Sequence, residues 1–326
     1  MAAPALFSFD AYVTAVLFDG DTAAFGLGDG TVRWSTGEIA AAHDGAVLSA
    51  ALHPKGGLVT GGDDGRLVRS VPAGPGALAE LPPGRWVEIV RASPATGLIA
   101  FSSGRELHVR DTADPKFART FAHERSVADL AFDPKGRRIA VATYGGVQLW
   151  LARIAEQRPT HLRYAGSHVA TLFSPDGRFV MSSMQDSQLH GWRLSDGKDM
   201  RMGGYPAKVK SMAFLADGML LATSGASGAI VWPFGGANGP MGKEASEIGA
   251  EQGALVTAVA GTPKGSVVVA GTDDGRVWIA DLARSRREML KAEKGPPITA
   301  LAISPRGDRI AWGDEDGGAA VADNPL

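Results

Sequence analysis

One short pattern recurs eight times along this chain: an apolar strand, a Pro/Gly turn, a second apolar strand, an Asp-Gly-type turn and a third strand. The first strands begin near Val13, Val47, Val87, Val127, His168, Val209, Leu255 and Ile298. Steps of about forty residues, built of strands alone, predict four-stranded propeller blades. Apolar side chains alternate along each first strand, as at Val127, Leu130 and Phe132 or at Val209, Met212 and Phe214, the spacing a strand needs to bury one face. The first turn is Pro-Lys-Gly at 54 to 56, 134 to 136 and 263 to 265, Pro-Asp-Gly at 175 to 177, Ala-Asp-Gly at 216 to 218 and Pro-Arg-Gly at 305 to 307. Proline fixes φ and glycine supplies φ > 0, so these are reversals. Asp29-Gly30, Asp64-Gly65, Asp274-Gly275 and Asp316-Gly317 then give a second hairpin signal. Two hairpins per repeat predict an up-and-down meander.

The second repeat reads His43-Asp-Gly-Ala-Val47, Leu52-His-Pro54-Lys-Gly56 and Leu58-Val-Thr60-Gly-Gly-Asp-Asp64-Gly65. The fourth has His123-Glu-Arg-Ser-Val127 and ends Val147-Gln-Leu-Trp150; the fifth carries Phe173-Ser-Pro175-Asp-Gly177, Ser182, Asp186 and Trp192. In this order of histidine, strand, turn, Ser/Thr and Asp-Gly, the chain resembles the WD-repeat β-propellers over nearly its whole length. The name-giving dipeptide is absent: by register its tryptophan position holds Ser35, Ser70, Arg110, Trp150, Trp192, Pro233, Ala280 and Ala322, and its aspartate survives at Asp111, Asp281 and Asp323. The resemblance implies fragments of the family's buried His, Ser/Thr, Asp and Trp network, with His43, Thr60 and Asp64 in one blade and Ser182, Asp186 and Trp192 in another. Tyr164 and Tyr205 stand where the histidine would be.

The fold expected is all-β, a single β-propeller over residues 1–326 with eight four-stranded blades. The last repeat runs out at Leu326 without a fourth strand, and Ala5-Leu-Phe-Ser-Phe9 has no other partner. Pairing the two would close the ring and remove an exposed edge. Seven blades is the alternative, if the first or third repeat merges with a neighbour.

No apolar run approaches eighteen residues, and the first ten residues lack a positive start and a long apolar stretch. Neither a membrane helix nor a secretory signal is visible, and cytoplasm is the default compartment. The absence of cysteine excludes disulfides, thiolate catalysis and cysteine zinc sites. A net charge of −2 gives no general attraction to nucleic acid or anionic lipid.

Motifs for chemistry are sparse: there is no HExxH, no phosphate loop ending Gly-Lys-Ser/Thr and no Gly-x-Ser-x-Gly elbow. Gly26-Leu-Gly28-Asp-Gly30 looks like a phosphate cradle but is a turn between strands, in register with the others. The carboxylates of Asp63-Asp64-Gly65, Asp273-Asp274-Gly275 and Asp314-Glu315-Asp316-Gly317 suit a hard cation in type, but without a twelve-residue calcium loop they read as solvated hairpin turns. Gly271 to Trp278 resembles one imperfect Asp-box, already explained by the repeat. No cofactor or metal is expected, and no enzymatic activity.

In WD-repeat propellers the face bearing the second hairpin turn and the lead-in to the first strand usually receives the partner. By that resemblance Asp273, Glu315, Gly28 and Asp63 would form an acidic arc, and Arg85, Trp86, Arg125, Tyr144 and Lys208 a basic and aromatic half. Trp86 with Arg85 or Arg125 is the expected hot spot, since Trp and Arg are among the commonest interface anchors; the competing expectation has Trp86 partly buried between blades. Phe234 to Lys243, rich in turn formers, lengthens the step after the sixth repeat and is read as a partner-binding loop or a tolerated insertion. The leading functional expectation is a non-catalytic scaffold for one or more partner proteins. The alternative is a propeller enzyme or a small-ligand or metal binder using the central channel, whose inner strands read small and mostly neutral apart from Asp129.

Overall fold

The turns reverse the chain where the sequence places them. In this computed structural model, which describes residues 3–250 and 253–326, Gly30, Gly65, Gly275 and Gly317 of the Asp-Gly turns take φ of 82°, 79°, 80° and 89°. Between turns run antiparallel strands, the first of each repeat being Val13–Asp19, Val47–Leu52, Ile89–Ser93, Asp129–Phe132, Met212–Leu215, Val256–Gly261 and Ile298–Ile303. In the fifth repeat it is the latter part of the long strand Thr160–Phe173. The fold is an all-β propeller of such meanders.

Among the described residues the strands form seven hydrogen-bonded sheets, six of four strands and one of six. Counted as continuous sheets the blades number seven, and the expectation of eight is corrected. The merger falls at the fourth and fifth repeats, not at the first or third. Strand Arg138–Leu151 runs through the second turn of the fourth repeat with only a register shift between Tyr144 and Gly146. Thr160–Phe173 then pairs with it through residues 160–167 and with Phe179–Met184 through residues 168–173. No loop separates the fourth strand of one repeat from the first strand of the next, so one sheet holds both. Closure by the N-terminal segment is as expected: Ala5–Ser8 pairs antiparallel with Gly318–Asp323, from Ala5 opposite Val321 to Ser8 opposite Gly318.

By contact density the chain falls into two compact units, one of Met1–Gly28, Arg33–Gly37 and Gly204–Leu326, the other of Asp29–Val32 and Glu38–Gly203. Within each, apolar cores lie between successive repeats. In the second unit Val59, Leu67, Val87, Val90, Ile99 and Phe101 join the second and third repeats, and Leu98, Leu107, Leu130, Val141 and Trp150 the third and fourth. In the first unit Phe25 and Val13 pack with Ala311 and Val321 of the last repeat, and Ile279 with Ile298 and Trp312. Each large side chain so buried contributes about 1.5–3 kcal/mol. Close approach demands a small residue opposite: a side chain at Gly313 would collide with Val13, and one at Gly61 with Val87.

Hydrogen bonds from the first strands tie repeat to repeat as well. Thr299 Oγ1 donates to the Val13 carbonyl at 2.6 Å and Thr257 Oγ1 to that of Ile298 at 2.8 Å, while Ser211 Oγ accepts from Val259 N at 3.0 Å. The Ala-Asp-Gly turn holds Ala216 and Asp217 at φ 52° each, with their N–H groups donating to Gly265 O and Pro263 O of the next repeat. A left-handed alanine costs about 1–2 kcal/mol. Ala216→Gly should therefore raise stability by about 1 kcal/mol, read as a higher urea midpoint; an unchanged or lower midpoint would show that the turn is not strained there.

Candidate functional site

Lead-ins lie beside second hairpin turns, because backbone amides join them. Leu81 and Val87 donate to Gly65 O and Gly62 O, and His123 and Val127 to Arg105 O and Gly104 O, at 2.8–3.0 Å. These bonds put Asp63, Arg85, Trp86, Arg125 and Tyr144, all in the second unit, on lead-ins and second turns. In the first unit Ala207 N donates to Gly225 O next to Lys208, and Glu315 N to Pro297 O.

The side chains differ in availability. Trp86 is 53% exposed and Tyr144 63%. Arg125 is exposed. Arg85 is half-buried and held by its neighbours: its guanidinium meets Glu106 Oε2 at 2.6 Å and donates to Ser103 Oγ and Ser103 O at 3.0 Å. Asp273 is exposed but accepts the Leu255 N–H at 2.7 Å, a bond within its own turn region. Glu315 is exposed, while Asp63 and Lys208 are half-buried. Gly28 lies under the Tyr12 ring, which a side chain there would strike. Residues 234–243 are cross-tied, with Lys243 Nζ donating to Gly235 O at 2.5 Å.

Each unit also holds buried histidine or tyrosine networks. His43 Nδ1 donates to Asp64 Oδ1 at 2.9 Å and its Nε2 accepts from Thr60 Oγ1 at 2.8 Å, as the resemblance implied. His123 Nε2 accepts from Trp150 Nε1 at 3.0 Å. Burial lowers the pKa of both rings, so both are neutral braces. In the sixth repeat Tyr205 replaces histidine: its hydroxyl accepts from Trp232 Nε1 at 2.6 Å and bonds Thr223 Oγ1 at 2.8 Å, and burial raises its pKa to about 12. The tryptophan is thus Trp232, one residue before the position assigned to Pro233. In the fifth repeat the histidine is His168, not Tyr164, and its Nδ1 bonds Ser182 Oγ at 2.9 Å. Tyr164 instead stacks on His190 at 3.5 Å, Asp186 pairs with Gln188, and Trp192 packs against both histidine rings. His168 was missed because it reads equally well as the first residue of a strand.

The Asp129 carboxylate, 6% exposed, pairs with Arg91 Nη2 of the third repeat at 2.5 Å and accepts the Thr171 N–H of the fifth at 2.9 Å. It links three repeats. Among the described residues no cluster of three or more His, Cys, Asp or Glu side chains could hold a metal ion, and no helix is long and apolar enough to cross a membrane.

One cavity, of about 520 Å³, opens on the lead-in and second turn of the fourth repeat and includes Arg125 and Tyr144. Neither its volume nor its further walls, Arg163 and His161, could be read from the repeat pattern, since they sit on the fourth strand.

Three stretches, residues 37–68, 115–150 and 242–281, match the family model described as "WD domain, G-beta repeat". The first holds the His43, Thr60 and Asp64 network and the second His123 and Trp150, so these three stretches of the β-propeller are similar to WD repeats. No curated protein sequence matches it. Among solved structures it is similar to the computationally designed Ika8 protein, at 19% identity and TM-score 0.77, covering 97% of this chain and 98% of that one. At that identity the likeness concerns the fold alone.

Proposed function

We propose that the chain is a non-catalytic cytoplasmic scaffold that binds partner proteins through its lead-ins and second turns. The observation that carries this reading is the exposure of Trp86 and Tyr144 on those segments, with Arg125 beside the same fourth-repeat turn region. Exposed aromatics cost solvation unless an interface covers them, and Trp, Tyr and Arg dominate binding hot spots. WD-repeat propellers typically serve as interaction scaffolds, which favours the same assignment. The channel alternative gains no support from Asp129, whose oxygens are engaged by Arg91 and Thr171.

Affinity capture of the tagged chain from extract of its own cells tests the proposal, run beside Trp86→Ala/Arg125→Glu. A stoichiometric protein partner should be retained by the parent chain and depleted at least tenfold by the double variant. Capture of the same partners by both, at equal yield, would remove these residues from the interface. Recovery of a small molecule or metal with no protein would overturn the scaffold assignment.

A further inference from the structure

The cavity of the fourth repeat has an unusual charge inventory. Its walls include Arg125, Tyr144, Gln148, His161 and Arg163, over a floor containing Trp150. Neither Arg125 nor Arg163 forms an ion pair or side-chain hydrogen bond among the described residues, although most arginines of the chain do. Glu124 is the only carboxylate in the lining and lies beyond ion-pair distance of either guanidinium. Two unneutralised guanidiniums around one concave space raise its potential and leave up to ten N–H donors for an anion. His123, which also lines the space, has its Nε2 filled by Trp150, so it offers the visitor no ring acceptor there.

The strand that carries His161 and Arg163 adds a second constraint. Residues 160–163 pair on one side with residues 146–149, whereas the pairing of the same strand with Phe179–Met184 begins only at His168. The other edge of residues 160–163 has no ladder partner among the described residues, and an open edge accepts an extended chain.

We propose that this cavity takes an anionic side chain, carboxylate or phosphate, presented by an extended segment of a partner protein. The assignment rests on the scaffold reading and specifies what the partner brings to it. Arginine forks fit both anions in a bidentate manner, and Tyr144 and Gln148 supply neutral donors at the rim.

The test uses three fluorescein-labelled peptides of one extended sequence whose central residues are three glutamates, one phosphoserine or three glutamines. Anisotropy is followed at low ionic strength with the full chain. The glutamate or the phosphoserine peptide should bind and the glutamine peptide should not, and whichever binds more tightly identifies the anion. Arg163→Gln and Arg125→Gln should each weaken that binding by roughly tenfold to a hundredfold, the range for a lost charge-assisted hydrogen bond. Arg137→Gln, which removes an exposed arginine outside the cavity lining, should change it less than twofold. Equal loss in Arg137→Gln, equal binding of the glutamine peptide, or no binding of either anionic peptide would overturn the proposal. Partner capture that depends on Trp86 but is indifferent to Arg163→Gln would overturn it too, and leave the scaffold reading standing.

Discussion

Lowering the pH from 7 to 4.5 is expected to remove most of the protein's stability. His53, His108 and His190 are each buried, and burial is the first cause lowering each pKa to about 4; cations at Arg69 and Lys55 add to this at His53, while Glu106 and Asp199 oppose it at His108 and His190. Burial also lowers His43, His123 and His168. In the unfolded chain these rings take protons near pH 6.5 and in the folded chain only further down, so between the two the unfolded state binds more protons and stability falls with pH. A ring shifted from 6.5 to about 4 contributes about 3 kcal/mol once the acid end of that window is reached, so three approach the roughly 5–15 kcal/mol that a domain possesses. Carboxylates such as Asp64, Asp176 and Asp281 are held below their ordinary range, so their contribution is lost only below about pH 4. Urea midpoints should be flat above pH 7 and fall steadily from 6.5 to 4. His190→Phe, which keeps a ring against Tyr164 and removes one proton site, should make that fall shallower. A midpoint unchanged from pH 7 to 5 would refute the account.

Asp129→Ala should cost about 3 kcal/mol or more. The substitution leaves the Thr171 N–H without an acceptor and the Arg91 guanidinium without its carboxylate, and removing one partner of a buried pair is far costlier than never having had the pair. Asp129→Asn keeps an acceptor oxygen for one of the two donors and should lose less. The double variant Arg91→Leu/Asp129→Leu should recover part of the loss if packing replaces the pair. Chemical denaturation of the three chains decides it: a loss under 1 kcal/mol in Asp129→Ala would mean that water satisfies both donors.

The fold was legible in the sequence because a blade is specified locally. Alternation set the strands and Gly/Pro chemistry set the turns, so the first strands were placed to within a few residues, and the N-terminal strand was paired correctly by elimination. The sheet count was not legible. It depends on whether the segment between Tyr164 and His168 breaks the ladder, and residues 160 to 173 hold no proline and only Gly166 to break it. Site residues on the turns were placed by register, but availability was not: that Arg85 would be held by Ser103 and Glu106 while Trp86 stood free depends on neighbours about eighteen residues away or more. Arg163 was invisible for the same reason, being a charged residue on an outer strand, where a charge is ordinary.

The pairing of Ala5–Ser8 with Gly318–Asp323 also dictates an order of events on the ribosome. Ala5–Ser8 is made about three hundred residues before the strand it pairs with, so it waits roughly 15 to 60 s at ordinary elongation rates. Phe25 is synthesised soon after Phe7 and Phe9 and contacts both in the finished fold, with ring centroids at 5.7 and 5.5 Å. Those aromatics can shelter one another from an early stage while the backbone edge of Ala5–Ser8 stays open. Joining residue 326 to residue 1 and cutting between Asp10 and Tyr12 would place that strand directly after its neighbour, and turn the most distant pairing of the sheet into a local hairpin.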